Sequence, residues 1–416
     1  MIRTVRFPSR LCAKVHLPAS KSLSNRALLL ASLSGPGSSV EHLSSCDDTY
    51  VLWRALHERP YEVDVQAAGT AMRFLTAYFS VCEGEEHVLT GTPRMLQRPI
   101  GVLVDALRSL GADVSYTGRE GYPPLRVRGR ALEGGSVQLP ADVSSQYISA
   151  LLMVAPLMRG GLRISLSGQV LSRPYIDMTL SLMRTFGAEA AWHDDTSMEV
   201  EPGVYAPHVI YPVEGDWSAA SYWYEMVALS PDERAAVELP WLFRHSLQGD
   251  SCVSRLFEDL GVHTEYGVPG GMVRLAKRPP FAAGGNGLFE RDLSACPDLA
   301  QTLVVTCAMM KRPFRFRGLR SLRIKETDRI EALREGLAHF GLQPEVTSDD
   351  TFSLTDYPST PLRYDGQPIA THDDHRQAMA FAPAALVAGE VYIADPEVVS
   401  KSYPRFWRHL DALREG

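Results

Sequence analysis

The sequence lacks any uninterrupted apolar run long enough to span a bilayer, and its opening residues, MIRTVRFPSR, lack the apolar core of a secretory signal. We therefore expect a cytoplasmic protein. Cysteine is scarce: the six cysteines are scattered singly, with no C-x-x-C pair. That spacing predicts reduced packing residues and argues against both a disulfide framework and a zinc site.

Positive charge is also in deficit, since 42 lysines and arginines face 49 aspartates and glutamates, a net charge of −7. The overall charge gives no support to a nucleic-acid partner. The sequence has no Walker loop, H-E-x-x-H motif or nucleophile elbow. It therefore lacks the usual motifs of nucleotide-binding proteins, metalloproteases and serine hydrolases. The cations that do cluster therefore stand out against an acidic background.

What the sequence does have is a pattern that occurs six times. A small or acidic polar segment precedes a run of small and apolar residues, usually closing in Gly; the segments are residues 20–26, 69–73, 144–146, 214–216, 297–298 and 373–376. Between these runs, amphipathic stretches end at Gly111, Gly187, Gly261 and Gly341, and short alternating runs follow. This predicts an α/β protein of about six units, sorted into two domains, each unit having one buried helix, one half-buried helix and several strands. The alternative is a chain of unrelated α/β segments that share common helix signals.

The first polar segment lies in LPASKSLSNRALLLAS, residues 17–32. Pro18 disfavours helix before it, and a serine at 20, 22 or 24 can cap a helix that GPG at 35–37 ends. The helix N-terminus, with Lys21 and Arg26 close by, forms a plausible phosphate or carboxylate site. An ordinary capped helix with two surface cations is the alternative.

Two further segments offer groups that could bind anions. Gly69 and Thr70 present backbone N–H groups that an anion can approach closely, and Arg98 starts the next predicted helix, where a cation opposes the helix dipole. Ser144 and Ser145, in SSQY, provide hydroxyls at another helix start, although both could be simple caps.

The densest charge cluster is RIKETDR, residues 323–329. If a helix begins near Lys325, then Lys325 and Arg329 share one face, and an anion between them would relieve their repulsion. A solvated helix face is the usual explanation of such a run. Glu326 is a candidate carboxylate for proton transfer.

The last polar segment is DDHR, residues 373–376, before an almost wholly apolar run. An aspartate there is a good helix cap. A helix cap does not account for His375 and Arg376, which are therefore candidates for a functional role. A lone histidine is, however, more often a packing or surface residue than a catalyst. Lys401, in VVSKSYP, is a further cation near the C-terminus.

Taken together and in order, nine motifs resemble the 5-enolpyruvylshikimate-3-phosphate synthases, also called 3-phosphoshikimate 1-carboxyvinyltransferases. The motifs are LPASKSLSNRALLLAS, AAGTAMRFL, GTPRMLQRPIGVLVDALRSLGA, SSQYISALLM, SRPYIDMTLSLM, VEGDWSAAS, RIKETDRIEAL, DDHRQAMA and SKSYPRFW. The resemblance implies two domains, each of three βαβαββ units, facing each other across a cleft. It places residues 1–19 and 216–416 in one domain, with phosphoenolpyruvate-side and catalytic residues, and residues 20–215 in the other, with most shikimate 3-phosphate contacts.

The reaction that the resemblance implies is transfer of the enolpyruvyl group of phosphoenolpyruvate to the 5-hydroxyl of shikimate 3-phosphate, releasing phosphate, in aromatic amino acid and chorismate biosynthesis. No metal, organic cofactor or covalent enzyme intermediate is implied, and we expect a monomer with these two small-molecule substrates. Asp298 and Glu326 are the implied acid–base carboxylates, with Lys21 and His375 assisting. The implied contacts to shikimate 3-phosphate are Lys21, Ser22, Arg26, Ser144, Ser145, Gln146, Ser172, Tyr175, Asp298, Ser321 and Lys325. Those to phosphoenolpyruvate are Lys21, Gly69, Thr70, Arg98, Gln146, Arg329, Arg376 and Lys401.

The sequence departs from the family pattern at several positions. Ala67 stands where Asn is usual, Phe74 where Pro is common, Arg173 where Lys is common and Ser321 where Asn often occurs; Trp217 is bulky for a site that is usually small. Two rivals stay open: the related enolpyruvyl transferase that uses UDP-N-acetylglucosamine, and a non-catalytic relative that acts as a binding protein. The first would be expected to lack the SSQ and SRPYID contacts.

Overall fold

The chain forms two compact units in a computed structural model that describes residues 1–142, 144–168, 170–268, 271–278, 287–347 and 350–414. Unit 1 consists of Met1–Pro18 and Glu214–Gly416, and unit 2 is the intervening Ala19–Val213. Each unit has its own hydrophobic core. Within the described residues, none of the helices combines the length and the apolar character that a bilayer crossing needs.

Strands and helices alternate along both units. The described strands are β1 (Ile2–Val5), β2 (Cys12–Lys14), β3 (Ser39–Glu41), β4 (Glu62–Asp64), β5 (Glu86–Thr90), β6 (Asp113–Tyr116), β7 (Leu125–Arg128), β8 (Gly135–Pro140), β9 (Leu162–Ser167), β10 (Ala190–Trp192), β11 (Ser197–Val200), β12 (Ile210–Pro212), β13 (Ala236–Pro240), β14 (Val262–Val268), β15 (Met272–Lys277), β16 (Phe289–Asp292), β17 (Phe314–Arg317), β18 (Glu345–Val346), β19 (Phe352–Leu354) and β20 (Val391–Ala394). The α-helices are α1 (Lys21–Leu33), α2 (Asp47–Glu58), α3 (Gly69–Ser80), α4 (Gly101–Ser109), α5 (Ser145–Val154), α6 (Arg173–Thr185), α7 (Trp217–Leu229), α8 (Val253–Glu258), α9 (Ala300–Met309), α10 (Arg329–Ala338), α11 (His375–Phe381), α12 (Ala385–Ala388) and α13 (Phe406–Ala412).

The βαβαββ order appears twice in unit 2. Strands β4, β5, β6 and β7 enclose α3 and α4 and form a sheet in the order β4-β5-β7-β6, with the first pair parallel. Strands β8 to β11 enclose α5 and α6 and repeat that order as β8-β9-β11-β10. The third part of unit 2 has α1 and α2 beside a two-stranded parallel pair, β3 and β12.

Unit 1 repeats the arrangement. Strands β16 to β19, with α9 and α10, form a sheet in the order β16-β17-β19-β18. The sheet β2-β13-β15-β14, with α7 and α8, has the same order, although β2 precedes unit 2 in the chain and its neighbours follow it. A two-stranded pair, β1 and β20, accompanies α11 and α13. The predicted α/β class is confirmed.

The polar segments predicted to start buried helices do so. Every residue of α3, α9 and α11 is buried, and the helices α1, α5 and α7 are buried along most of their length. Ser20, Ser144, Asp216 and Asp374 cap four of them, each accepting a backbone N–H of the first turn. Apolar residues on all faces explain this burial, because such a helix has no side that favours water.

Two local predictions are wrong. No helix begins near Lys325, which is extended; α10 begins at Arg329 because the Asp328 carboxylate caps it, accepting from the backbone N–H groups of Ile330 and Glu331 at 3.1 and 3.3 Å. Arg98 is not at a helix start either, since Pro99 disfavours helical backbone at position 98 and α4 begins only at Gly101.

Candidate active site

Arg329 is the centre of the charged site in unit 1. It is the first residue of α10, and its side chain is only 2% exposed. Its Nε donates to Asp374 Oδ2 at 2.6 Å, its Nη1 to Asp298 Oδ1 at 3.1 Å and its Nη2 to Glu326 Oε2 at 2.9 Å. One guanidinium thus fixes three carboxylates that come from three different parts of the chain.

Three further cations approach the same carboxylates. Arg376 Nη2 lies 2.9 Å from Asp298 Oδ2, and Lys401 Nζ lies 3.0 Å from Glu326 Oε1. Lys325 Nζ is 3.9 Å from Asp298 Oδ1. Asp298 therefore lies beside three cations and Glu326 lies beside two.

The charge balance of this cluster favours an anionic ligand. Four cations, Lys325, Arg329, Arg376 and Lys401, surround three carboxylates, Asp298, Glu326 and Asp374. Burial works against the charge of Arg329, but its three carboxylate partners more than offset it and raise the pKa of the guanidinium above its usual value. A stable, fixed positive charge results.

His375 and Ser321 lie in the same unit. His375 is the first residue of α11, it is 1% exposed, and its Nδ1 lies 3.7 Å from Asp374 Oδ1. Ser321 is half-buried in a short 3-10 turn, Arg320–Ile324, that leads directly to Lys325. The structure thus places His375 beside the carboxylate group and Ser321 on the segment that carries Lys325.

Asp250 is a carboxylic acid that the sequence analysis missed. It lies in the 3-10 turn Gly249–Cys252, it is 2% exposed, and its Oδ2 accepts a hydrogen bond from the Ser218 hydroxyl. Burial and the nearby charge of Asp298 raise its pKa to about 7, although Arg376 acts in the opposite direction. The only available signal was an acidic residue in the QGD turn, residues 248–250, and nothing in the sequence shows that the turn is buried.

In unit 2, Lys21 pairs with a carboxylate. Lys21 begins α1, and its Nζ lies 3.1 Å from Oδ2 of Asp48, a buried residue in the first turn of α2. Sequence reasoning did not find Asp48. Ser22 follows in the same turn of α1, and its backbone carbonyl accepts from Arg26 Nη1 at 3.0 Å.

Arg26, on α1, makes hydrogen bonds to α5 and α6. Its Nε donates to Thr179 Oγ1 of α6 at 2.7 Å, and its Nη2 donates to Ser149 Oγ of α5 at 3.1 Å. Burial lowers the pKa of the guanidinium to about 10, and the ring of Phe74 lies 5.5 Å from it. Phe74, a departure from the family pattern, therefore packs against this cation.

Arg98 packs against the start of α3 in unit 2. A Cβ placed on Gly69 would lie 2.7 Å from Arg98 Nη1, so the guanidinium packs directly on the helix N-terminus and a larger residue at position 69 would displace it. Arg98 is 9% exposed, and within the described residues its side chain makes no ion pair or hydrogen bond. A cation and helix N–H groups side by side repel each other unless an anion lies between them.

The start of α5 adjoins the start of α3. Gln146 Nε2 donates to Thr70 Oγ1 at 3.1 Å, and Ser144 Oγ accepts from the Gln146 backbone N–H at 3.3 Å as the cap of α5. Ser145 is the first residue of that helix. The predicted residues Gly69, Thr70, Arg98 and Gln146 thus lie in one neighbourhood of unit 2.

Ser172 and Tyr175 lie at the start of α6. Ser172 precedes the helix in the left-handed conformation, with φ +55°, and Thr179 Oγ1 donates to the Tyr175 carbonyl at 2.9 Å. Their neighbour Arg173, another departure from the family, stacks on Trp192 at 4.2 Å and pairs weakly with Asp195 at the surface. Nothing in the structure explains why Arg replaces Lys there.

The fold matches that of an enolpyruvyl-transferring enzyme of known structure. EPSP synthase from Acinetobacter baumannii superposes with a TM-score of 0.78 at 21% identity, covering 99% of this chain and 98% of that one. At this identity the likeness concerns the fold alone. It defines the fold class: an α/β protein built like an EPSP synthase. Each of its two units has a carboxylate beside a lysine or an arginine.

Sequence comparison gives the family. The model described as EPSP synthase (3-phosphoshikimate 1-carboxyvinyltransferase) matches residues 5–62 and 54–410. A 3-phosphoshikimate 1-carboxyvinyltransferase of Bacteroides fragilis (strain YCH46) is 50% identical over 405 residues, 97% of this chain and 95% of the relative. One from Sulfurovum sp. (strain NBC37-1) is 35% identical over 427 residues, with 96% of each chain covered. The chain belongs to the EPSP synthase family, so the predicted resemblance is confirmed and the UDP-sugar rival is not favoured.

Proposed function

We propose that this protein transfers the enolpyruvyl group of phosphoenolpyruvate to the 5-hydroxyl of shikimate 3-phosphate and releases phosphate, a step of the shikimate pathway towards chorismate and the aromatic amino acids. The observation that carries the proposal is the group of carboxylates that Arg329 fixes within unit 1. Family membership supplies the substrates, and the fixed carboxylates supply the acid–base groups that this reaction needs.

Shikimate 3-phosphate is a dianionic phosphate with a carboxylate, and lysine, arginine and hydroxyl groups suit it. Arg26 supports this role because it is a buried cation whose contacts in unit 2 are hydroxyls and a carbonyl, which leave its charge unneutralised. The proposed contacts are Lys21, Ser22, Arg26, Ser144, Ser145, Gln146, Ser172, Tyr175, Asp298, Ser321 and Lys325.

Phosphoenolpyruvate needs cations for its phosphate and its carboxylate. Arg98 is the strongest candidate, because it is nearly buried on the N-terminus of α3 without a carboxylate partner in the part of the chain that the structure describes. Arg376 and Lys401 are cations beside the proposed acid–base carboxylates, 2.9 Å from Asp298 and 3.0 Å from Glu326 respectively. The proposed contacts are Lys21, Gly69, Thr70, Arg98, Gln146, Arg329, Arg376 and Lys401.

The reaction proceeds by addition and elimination. The 5-hydroxyl oxygen attacks C2 of phosphoenolpyruvate and loses its proton to one carboxylate, while C3 receives a proton and becomes a methyl group. Elimination then breaks the bond between C2 and the phosphate oxygen, removes a proton from the methyl group and restores the double bond. Each proton added in the first step is balanced by one removed in the second, so no oxidant or reductant is required.

Asp298 and Glu326 are the proposed proton carriers, with Lys21 and His375 assisting. Arg329 makes hydrogen bonds to three carboxylates, which occupy most of its five N–H donors. It therefore acts mainly by holding Asp298 and Glu326 in place, and one N–H donor on Nη1 is left for phosphoenolpyruvate. We further propose that the protein acts as a cytoplasmic monomer without a metal or an organic cofactor.

Phosphate release from phosphoenolpyruvate tests the proposal. The purified protein should release phosphate only when shikimate 3-phosphate is also present. Turnover with UDP-N-acetylglucosamine in its place would point to the other enolpyruvyl transferase, and absence of turnover with both acceptors would favour a binding protein. Arg334→Gln, at an exposed ion pair on α10, is a control variant that should keep wild-type turnover.

A further inference from the structure

A cavity of about 350 Å³ opens on the surface of unit 1, away from the residues named so far. Its lining residues are Lys14, Val15, His16, Arg405, Arg408 and His409. The first three are the end of β2 and the two residues that follow it; the others flank or belong to the start of α13. Five of the six side chains are basic and none is acidic.

The cations of this cavity have no internal counter-charge. Across the described part of the chain, Lys14, Arg405 and Arg408 have no carboxylate within ion-pairing distance, whereas Arg3, Arg291, Arg323 and Arg334 of the same unit each pair with one. All three are exposed. Asp411, the acidic residue of α13, pairs instead with Arg3, whose Nη2 donates to Asp411 Oδ2 at 2.7 Å.

The pKa of His409 is affected by the basic residues around the cavity. Its Nδ1 lies 2.8 Å from the Tyr403 hydroxyl, and the residue lines the cavity. Partial burial, followed by the charges of Arg405, Arg408 and His16, lowers the pKa of the imidazole to about 4. A protein with a net charge of −7 thus places three basic residues around this histidine, and their charges add to the larger effect of burial.

We propose that this basic cavity binds a multivalent phosphate anion, such as a free diphosphate or the diphosphate group of a larger metabolite. Arginine forks match phosphate oxygens in a bidentate manner, and Arg405 and Arg408 supply two of them beside the ammonium of Lys14. The volume is at the lower end of the range of small-molecule sites, which suits a diphosphate better than a larger drug-sized ligand. Binding there would relieve the mutual repulsion of the lining cations.

Inorganic pyrophosphate is the probe, and the His409 ring is the local reporter. Calorimetric titration should show binding to the wild-type protein, and the imidazole signals of His409, assigned by their loss in His409→Gln, should shift as the site fills. The variant Arg405→Gln/Arg408→Gln should bind at least about tenfold more weakly, because two charge-assisted contacts are lost. Orthophosphate should bind more weakly than pyrophosphate, since it engages fewer of the cations.

The matched control is Arg163→Gln/Arg255→Gln, which removes the same charge from two exposed arginines outside the cavity. It should keep wild-type affinity within about twofold, which separates a specific site from screening of the overall charge. Equal weakening in both double variants, a His409 signal that does not move, or no binding at millimolar pyrophosphate would each overturn the proposal. Because pyrophosphate at the reaction site would leave the His409 ring unchanged, the outcome does not depend on the proposed function.

Discussion

Asp250 offers a sharp test of the electrostatics of unit 1. Its carboxyl group is 2% exposed; Ser218 donates to Oδ2, and Oδ1 has no hydrogen-bond donor among the described residues. The pKa of this group is raised from 3.8 to about 7, first by burial and then by the charge of Asp298. The folded protein therefore retains a proton at pH 6 that the unfolded chain has lost.

The sign and size of the effect follow from proton linkage. Because the folded state binds the extra proton, the free energy of unfolding falls as pH rises from about 4 to 7 and then levels off. A pKa difference of about three pH units, at 1.36 kcal/mol for each, corresponds to roughly 4 kcal/mol. Asp250→Asn keeps an oxygen that can accept from Ser218 and removes the titration, so it should not show this loss.

Urea unfolding at a series of pH values from 4 to 8 measures the difference between the two proteins. The free energy of unfolding of Asp250→Asn, relative to wild type, should rise by up to roughly 4 kcal/mol across this range. Asp232→Asn is the control with the opposite sign, since backbone N–H groups of Arg234 and Leu11 lower the pKa of the half-buried Asp232, and its stabilisation is lost as pH falls. A difference for Asp250→Asn that is flat or falls with pH would refute the reasoning.

Three further predictions follow from contacts in the two units. Gly69→Ala should raise the KM for phosphoenolpyruvate by roughly tenfold, with a smaller change in kcat, because the added methyl displaces the Arg98 guanidinium; steady-state kinetics would show it. Arg26→Lys should lower the free energy of unfolding by about 2 kcal/mol in urea titrations, since a lysine cannot reach both buried hydroxyls. Glu326→Gln should lower kcat by at least about a hundredfold with shikimate 3-phosphate affinity nearly unchanged, whereas Glu331→Gln, at an exposed ion pair, should behave like wild type.

The buried helices could be predicted because their signals are local. A polar cap indicates where α1, α5, α7 and α11 begin, and the small and apolar residues that follow the cap indicate that these helices are buried. The start of α10 could also have been placed correctly, since Asp328 followed by Glu331 is a typical N-terminal signal. The charge run before it suggested a longer helix, and the cap at Asp328 excluded one.

The partners of the charged residues could not be predicted, because they depend on contacts between distant parts of the chain. Arg329 and Asp374 are 45 residues apart, and Lys21 and Asp48 are 27 apart. The raised pKa of Asp250 depends on burial that only the packing of unit 1 creates. Sequence patterns singled out these cations as candidates, and the structure shows which carboxylates they contact.

The most direct test of the proposed chemistry is deuterium incorporation from solvent. The account predicts that, in D₂O with both substrates, the methylene of the enolpyruvyl product gains deuterium, because C3 accepts a deuteron and the resulting methyl group later loses either isotope. Glu326→Gln should form little product of either kind. Product formed at the wild-type rate with no deuterium at that carbon would contradict the addition–elimination chemistry assigned to Asp298 and Glu326.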